Sequence, residues 1–135
     1  MRGHGGFMMM DWNMFDSYQL DLPRENPGRM AMGAVLSYAE RIDLRNMIPN
    51  RSFSECSTRY LLKHRNGKEL LVYQDGSGPF SVDLLGTAEM HFSVEWLRIG
   101  TWEVRDGEIL QGGGTRTLSP PWSGRVVAYL IASIR

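Results

Sequence analysis

The side chains that could carry out chemistry are spread thinly along this sequence. Its three histidines, His4, His64 and His91, share no predicted helix face or strand face, so their spacing favours neither a metal site nor a catalytic triad. Four glutamates occupy solvent-facing strand positions or turns, where a charged surface is the ordinary explanation: Glu89, Glu95, Glu103 and Glu108. The sequence therefore predicts no catalytic residue, no metal site and no cofactor.

A run of three glycines, Gly112 to Gly114, precedes a predicted strand rather than a helix. A phosphate-binding loop needs the oriented amides and the dipole of a helix N-terminus, which this run does not have. The glycines therefore predict a flexible turn.

Binding on an aromatic surface is better supported than catalysis. Sugars and proline-rich chains both dock on exposed aromatic rings, so the candidates are aromatic residues that the core does not need. Trp96 and Trp102 lie two positions from apolar residues of their predicted strands, so they point to the same strand face as those residues and are predicted to be interior. Trp122 follows a Pro-Pro corner and is the main candidate for an exposed platform, with packing over the end of a sheet as the alternative. Trp12, Phe15 and Tyr18 near the N-terminus are candidates for a second aromatic surface, with collapse of these rings onto the sheet as the alternative.

Length, charge and cysteine content narrow the class of protein. The chain has 135 residues, the size of one domain, and its 15 basic and 15 acidic residues are scattered. Nucleic acid and membrane surfaces are therefore disfavoured as partners. Cys56 is the single cysteine, which excludes an internal disulfide and predicts a buried or half-buried thiol. The N-terminal apolar patch is shorter than the roughly 7–15 residues of a signal peptide core, so no export signal is predicted.

The elements that position these residues change in character near the middle of the chain. A short buried strand is predicted at Phe7 to Met10. A helix is predicted from Pro27 or Gly28 to Asp43, because apolar residues recur every four positions and Pro49 forbids further helix. The polar stretch from Asn50 to Ser57 is interpreted as a domain boundary. Beyond it the apolar period changes from 3.6 to 2, which is typical of strands.

Seven or eight short strands are predicted after residue 57. Asn66-Gly67 and Asp106-Gly107 each lie between apolar runs and predict tight hairpin turns. The last strand, Val126 to Ser133, is apolar on both parities and is predicted to be covered on both faces. It is expected to form a hairpin with Thr115 to Leu118 across the Pro-Pro corner. The predicted fold is mainly β, a small two-sheet antiparallel β-sandwich preceded by one α-helix and a short N-terminal strand.

An ordered set of segments resembles the C-terminal end of bacterial apiosidase-like glycoside hydrolases, and the likeness extends over nearly the whole chain. In that family a (β/α)8 barrel is followed by a small β-sandwich described as the collagen-binding domain of a collagenase. The segments that carry the resemblance are Arg29-Met30-Ala31-Met32-Gly33, Tyr38-Ala39-Glu40-Arg41-Ile42-Asp43-Leu44, Met47-Ile48-Pro49, Leu71-Val72-Tyr73, Val94-Glu95-Trp96 and Gly112-Gly113-Gly114-Thr115-Arg116-Thr117-Leu118-Ser119-Pro120-Pro121.

The resemblance implies a division of the chain and an accessory role. Residues 1–50 would correspond to the last strand, loop and helix of a barrel, and residues 57–135 to the accessory β-sandwich. Asp11 would then lie at a barrel strand end that lines the substrate cleft, but without a partner acid. The expected function is non-catalytic support or binding of a polysaccharide or a collagen-like ligand. Two alternatives stay open: a purely structural domain that packs on a barrel, and a piece of a split or truncated hydrolase that is active only with the missing barrel. Relatives of this kind are expected to be secreted or periplasmic.

Overall fold

The computed structural model describes residues 27–134 of the chain, and the side chains of residues 33–133. The strand predicted at residues 7–10 lies outside the described residues. The chain divides into two compact units between Arg41 and Ile42, with the helix in the first and every described strand in the second. The expectation that the N-terminal part derives from a barrel stays a prediction.

The predicted helix is present as α1, Pro27–Arg41, two residues shorter than expected. The four-residue apolar spacing is borne out by burial, since Ala34 is half-buried and Tyr38 is 9 % exposed, while Ile42 just beyond the helix is 5 % exposed. Val35 lies beside this stripe and is 49 % exposed. The Arg41 guanidinium lies over the Tyr38 ring, 5.2 Å from its centre.

The second unit is a two-sheet antiparallel structure, as the sequence predicts. A short 3-10 turn, η1 (Leu44–Asn46), leads into the first strand. Within the described residues, the large sheet has six strands in the order β1-β2-β3-β8-β5-β6, and the small sheet pairs β4 with β7. The strands are β1 Met47–Asn50, β2 Leu61–His64, β3 Glu69–Gln74, β4 Phe80–Asp83, β5 Met90–Arg98, β6 Val104–Gln111, β7 Thr115–Leu118 and β8 Val126–Ile134.

The strand β8 lies inside the large sheet and pairs with β3 on one side and β5 on the other. The expected hairpin between β7 and β8 is therefore wrong, because β7 pairs with β4 in the small sheet. The segment that contains Pro120 and Pro121 carries the chain from one sheet to the other. Its prolines cannot donate ladder hydrogen bonds, so a crossover suits them better than continued pairing.

One of the two predicted hairpin turns is confirmed and the other is wrong. Gly67 has a φ of 73° between β2 and β3, and its amide donates to the His64 carbonyl over 2.8 Å. The pair Asp106-Gly107 lies inside β6, opposite a register shift between Ser93 and Glu95. The extra residue on β6 makes this a β-bulge. The turn between β5 and β6 instead contains Gly100, with a φ of 103°.

The core lies between the two sheets. The inward-facing residues alternate along the strands, as their period of two predicts. Phe80 of the small sheet meets Trp96 of the large sheet edge to face, with ring centres 5.9 Å apart. The largest fully buried side chains among the described residues are Phe92, Leu70, Leu84, Leu118, Leu130, Val72, Val82, Val126 and Cys56. The buried Cys56 agrees with its predicted environment.

The large sheet begins earlier than residue 57. Pro49 does not end the helix but lies in the edge strand β1, opposite Leu62. An edge strand accepts proline because one side of it has no ladder to complete. Within the described residues, no helix combines the length and the apolarity that a membrane span requires.

Candidate functional site

Trp122 lies in the crossover between β7 and β8, at the end of the sandwich where β5 ends and β8 begins. It is half-buried and packs against the core cluster between the sheets. The sequence left two roles open for this residue, an exposed platform and a side chain packed over the end of the sheet. The structure combines them, because part of the indole contacts the core and part reaches solvent.

Two arginine side chains lie against the Trp122 ring. The guanidinium carbon of Arg105 is 4.8 Å from the ring centre, and that of Arg98 is 6.0 Å away. A guanidinium within about 6 Å of an indole centre is attracted by the negative face of the ring. We call Trp122, Arg98 and Arg105 the arginine–tryptophan cluster.

The backbone fixes where these arginines begin. Arg98 is the last residue of β5, and its amide donates to the Glu103 carbonyl over 2.9 Å while its carbonyl accepts from the Trp102 amide over 2.9 Å. The Ile99 amide donates to the Arg125 carbonyl over 3.1 Å, which ties the β5–β6 turn to the crossover. The cluster therefore stands on two hydrogen-bonded segments.

Trp102 lies in the same turn and is not an interior strand residue as expected. It is half-buried with a φ of 60°, in the left-handed region that side chains other than glycine rarely adopt. Val104, expected to share its buried face, is 54 % exposed. The Trp102 Nε1 is buried and has no hydrogen-bond partner among the described residues.

The charges of the arginines are only partly balanced. Arg105 Nη2 lies 3.1 Å from Glu103 Oε1, and Arg125 Nε lies 3.9 Å from Asp75 Oδ1. Both pairs are well exposed to solvent and so hold their partners weakly. Arg98 is half-buried, and no described carboxylate lies within ion-pairing distance of it.

Tyr73 of β3 lies near the same end of the large sheet as Arg98, but the register places the two residues on opposite faces. Its hydroxyl donates to Asp75 Oδ1 over 2.9 Å, and its ring meets Tyr60 edge to face at 5.6 Å between centres. Partial burial and the hydrogen bond to Asp75 raise the pKa of the Tyr73 hydroxyl above 10.0. Tyr60 is 52 % exposed, so the Tyr60–Tyr73 pair presents aromatic surface to solvent apart from the arginine–tryptophan cluster.

The other predicted site residues fall elsewhere. Trp12, Phe15, Tyr18 and Asp11 lie outside the described residues. Trp96 is 3 % exposed, as predicted for the core. Glu89, Glu103 and Glu108 are exposed, and Glu95 is half-buried. Among residues 27–134, no three histidine, cysteine or acidic side chains lie close enough together to hold a metal ion.

The glycine run is a fixed turn rather than a flexible one. The Gly112 amide donates to the Met90 carbonyl, and the Gly113 amide to the Leu84 carbonyl, each over 2.9 Å. The Arg116 guanidinium donates to the carbonyls of Gln111, Gly112 and Thr115 over 2.8, 3.3 and 3.4 Å. The Arg116 guanidinium is therefore bonded to backbone carbonyls, and it lies at the opposite end of the sandwich from the arginine–tryptophan cluster.

Sequence reasoning missed Arg98 and Arg105. A signal for Arg98 was present, since it follows Phe92, Val94 and Trp96 at alternate positions and thus ends an otherwise apolar face. No comparable signal existed for Arg105, whose position depends on its pairing with Trp96 across β5 and β6.

Comparisons with known proteins relate the fold to one class of enzyme. A solved structure titled "Glycoside hydrolase" matches 79 % of this chain at 13 % identity, with a TM-score of 0.61. The chain spans 26 % of the length of that structure. No family model matches the sequence. No curated protein matches it either. The similarity shows a glycoside hydrolase-related fold.

Proposed function

We propose that the β unit is a non-catalytic accessory domain that binds glycan, or a proline-rich collagen-like chain, for a glycan-degrading enzyme. The observation that carries the proposal is the fold similarity to 26 % of a longer glycoside hydrolase, the share that an appended domain would occupy. Partly exposed aromatic rings are common in binding surfaces, because they combine a large apolar area with a polar group that can reach a partner.

The arginine–tryptophan cluster is the surface that best fits such a role. It joins a half-buried indole with two guanidinium groups at the end of the sandwich. Arginine and aromatic residues dominate the binding energy of protein surfaces, because they combine large contact area with directional hydrogen bonds.

Retention on immobilised ligands tests the proposal. The full chain is passed over columns of insoluble and gel-bound polysaccharides, neutral and acidic, and over native collagen. We expect retention on at least one of these matrices and its loss in W122A. The matched control is F53A, because Phe53 is also an aromatic ring under a guanidinium, with Arg59 at 4.5 Å from its centre. Absence of retention of the wild-type chain on every matrix would refute the binding role.

A structural role is the second candidate, and one observation favours it. Four large apolar residues of the described part of the large sheet are exposed: Ile48 at 47 %, Val104 at 54 %, Ile109 at 72 % and Ile131 at 37 %. The register aligns Ile109 and Ile131 on either side of Ser93, so they lie in one row across β6, β5 and β8. A neighbouring domain would cover such a row. The wild-type chain and an I109S/I131S variant are each mixed with a separately expressed hydrolase barrel, and their dissociation constants are compared. Tighter binding by the wild-type chain would support this role.

A further inference from the structure

The ring of Trp122 does not offer a bare stacking face. Part of the indole packs against the core, and the guanidinium of Arg105 covers ring surface at 4.8 Å. A neutral pyranose needs an open aromatic face to stack on, so the chemistry presented to solvent here is that of guanidinium groups held by an indole.

Arg98 gives this surface an unbalanced positive charge. It is half-buried, sits 6.0 Å from the Trp122 ring centre and has no described carboxylate partner. A cation that is partly removed from water gains more from a bound anion than a fully solvated one does. Its backbone is held on both sides by the bonds to Glu103 and Trp102.

Arg105 can add a second point of contact. Its ion pair with Glu103 at 3.1 Å is surface-exposed, with 52 % of the arginine side chain open to solvent. A pair of this kind is weak and exchanges readily for a better acceptor. Guanidinium groups bind carboxylate and sulfate oxygens in a bidentate manner, which gives two neighbouring arginines geometric selectivity for an anionic group.

We propose that the arginine–tryptophan cluster is an anion-recognition site for an acidic polysaccharide, with Arg98 and Arg105 binding a carboxylate or sulfate group of a sugar and Trp122 positioning both guanidinium groups. This inference rests on the proposed glycan-binding function and specifies its ligand class. Uronate carboxylates and sulfate esters share the chemistry that the site recognises, and the experiment separates them.

Affinity electrophoresis of the full chain through four gel-embedded polymers tests the inference. Alginate and carboxyl-reduced alginate isolate the effect of carboxylates, while dextran sulfate and dextran isolate that of sulfates. We expect retardation by one acidic polymer, with binding to its neutral counterpart at least about tenfold weaker, and a dissociation constant that rises with salt. R98M and R105M are each expected to weaken binding about tenfold, the loss of a charged hydrogen bond.

Matched variants keep the test specific. R59M removes a guanidinium from the ring of Phe53 with the same change of charge, and it is expected to bind like the wild type. Methionine preserves most of the apolar stem that covers the ring, and the thermal midpoint of each variant is measured to verify folding.

Equal retardation by an acidic polymer and its neutral counterpart overturns the acidic-ligand inference and leaves glycan binding intact. An equal loss of binding in R59M also overturns it, and retardation by none of the polymers overturns it too. Failure on the wider polysaccharide and collagen panel overturns the proposed function itself.

Discussion

Gly107 of β6 lies against the indole of Trp96 on β5, so closely that a Cβ at this position would be 2.5 Å from Trp96 Nε1 and 2.9 Å from Cδ1. The glycine sits in the bulged part of β6, where one extra residue opposes β5. Its missing side chain leaves the room that a buried tryptophan fills. The Asp-Gly pair is therefore a packing feature of the sheet.

Replacing this glycine is expected to destabilise the fold. G107A forces the Trp96 ring to move, and overpacking of this kind costs about 1–3 kcal/mol in free energy of unfolding. Urea denaturation followed by tryptophan fluorescence measures the loss. G76A is the matched control, because no atom lies within 4 Å of a Cβ built at Gly76. A G107A midpoint equal to that of G76A would contradict the packing role.

Gly112 is expected to be still less tolerant. A Cβ there would collide with the backbone carbonyl and the hydroxyl of Thr87, and backbone cannot move aside as a side chain can. We expect G112A to lose about 2–4 kcal/mol in free energy of unfolding. G114A serves for comparison, since the nearest atom to its Cβ is the end of the flexible Arg116 side chain at 3.6 Å. Chemical denaturation measures the free energy of unfolding of both variants. Similar decreases in G112A and G114A would argue against a fixed turn.

Acid is expected to remove one contribution to stability. The Asp43 carboxylate accepts a hydrogen bond from Asn46 Nδ2 over 2.7 Å and lies 3.7 Å from His64 Nε2, and chiefly the Asn46 bond lowers its pKa below 3.8. A lowered folded-state pKa gives stability that is complete above about pH 4 and disappears as the pH falls through the lower value.

Thermal midpoints measured from pH 7 down to about pH 2.5 should show this contribution. Below about pH 4, the thermal midpoint of the wild type is expected to fall slightly more than that of D43N, because asparagine has no proton to gain. N46A removes the principal cause of the shift and should narrow the difference. The contribution is small because the carboxylate is exposed to solvent. If the thermal midpoints of wild type and D43N fall in parallel as the pH is lowered, Asp43 does not make this contribution to stability.

The raised pKa of Tyr73 gives a spectroscopic prediction. Ultraviolet titration of phenolate absorbance, taken as the difference between wild type and Y73F, should place the Tyr73 pKa above 10.0. In D75A the pKa should fall, because the bond to Asp75 is lost, yet stay raised, because burial is the larger cause. Since the folded state holds this proton more tightly, the associated stability is lost as the pH rises above about 10. A D75A titration identical to that of the wild type would contradict the assignment.

Local pattern was enough to predict much of the β unit. The bounds of β7 agree with the sequence prediction, because flanking turn residues mark both ends of this strand. Asn66-Gly67 was predicted correctly for the same reason, since it needs only its neighbours to form a turn. The same dipeptide logic failed at Gly107, because the partner that decides its role is Trp96, eleven positions earlier in the sequence.

The pairing between distant strands and the candidate site could not be predicted from the sequence, because both depend on residues that are far apart in it. The sequence indicated that β8 is apolar on both parities, but not that it inserts between β3 and β5. Trp122 was identified from its Pro-Pro corner, a local signal. Arg105 reaches it only through the register of β6 on β5, which no local pattern encodes.

The central place of β8 has a consequence for how this domain folds. Among the described strands, β1, β2 and β3 form one part of the large sheet and β5 with β6 the other, and β8, which follows them all in the sequence, joins the two parts. Joining the two parts therefore requires contacts between residues far apart in the sequence, such as Leu71 with Tyr129. Long-range pairing of this kind slows folding, and incompletely folded chains with unpaired strand edges are prone to aggregate.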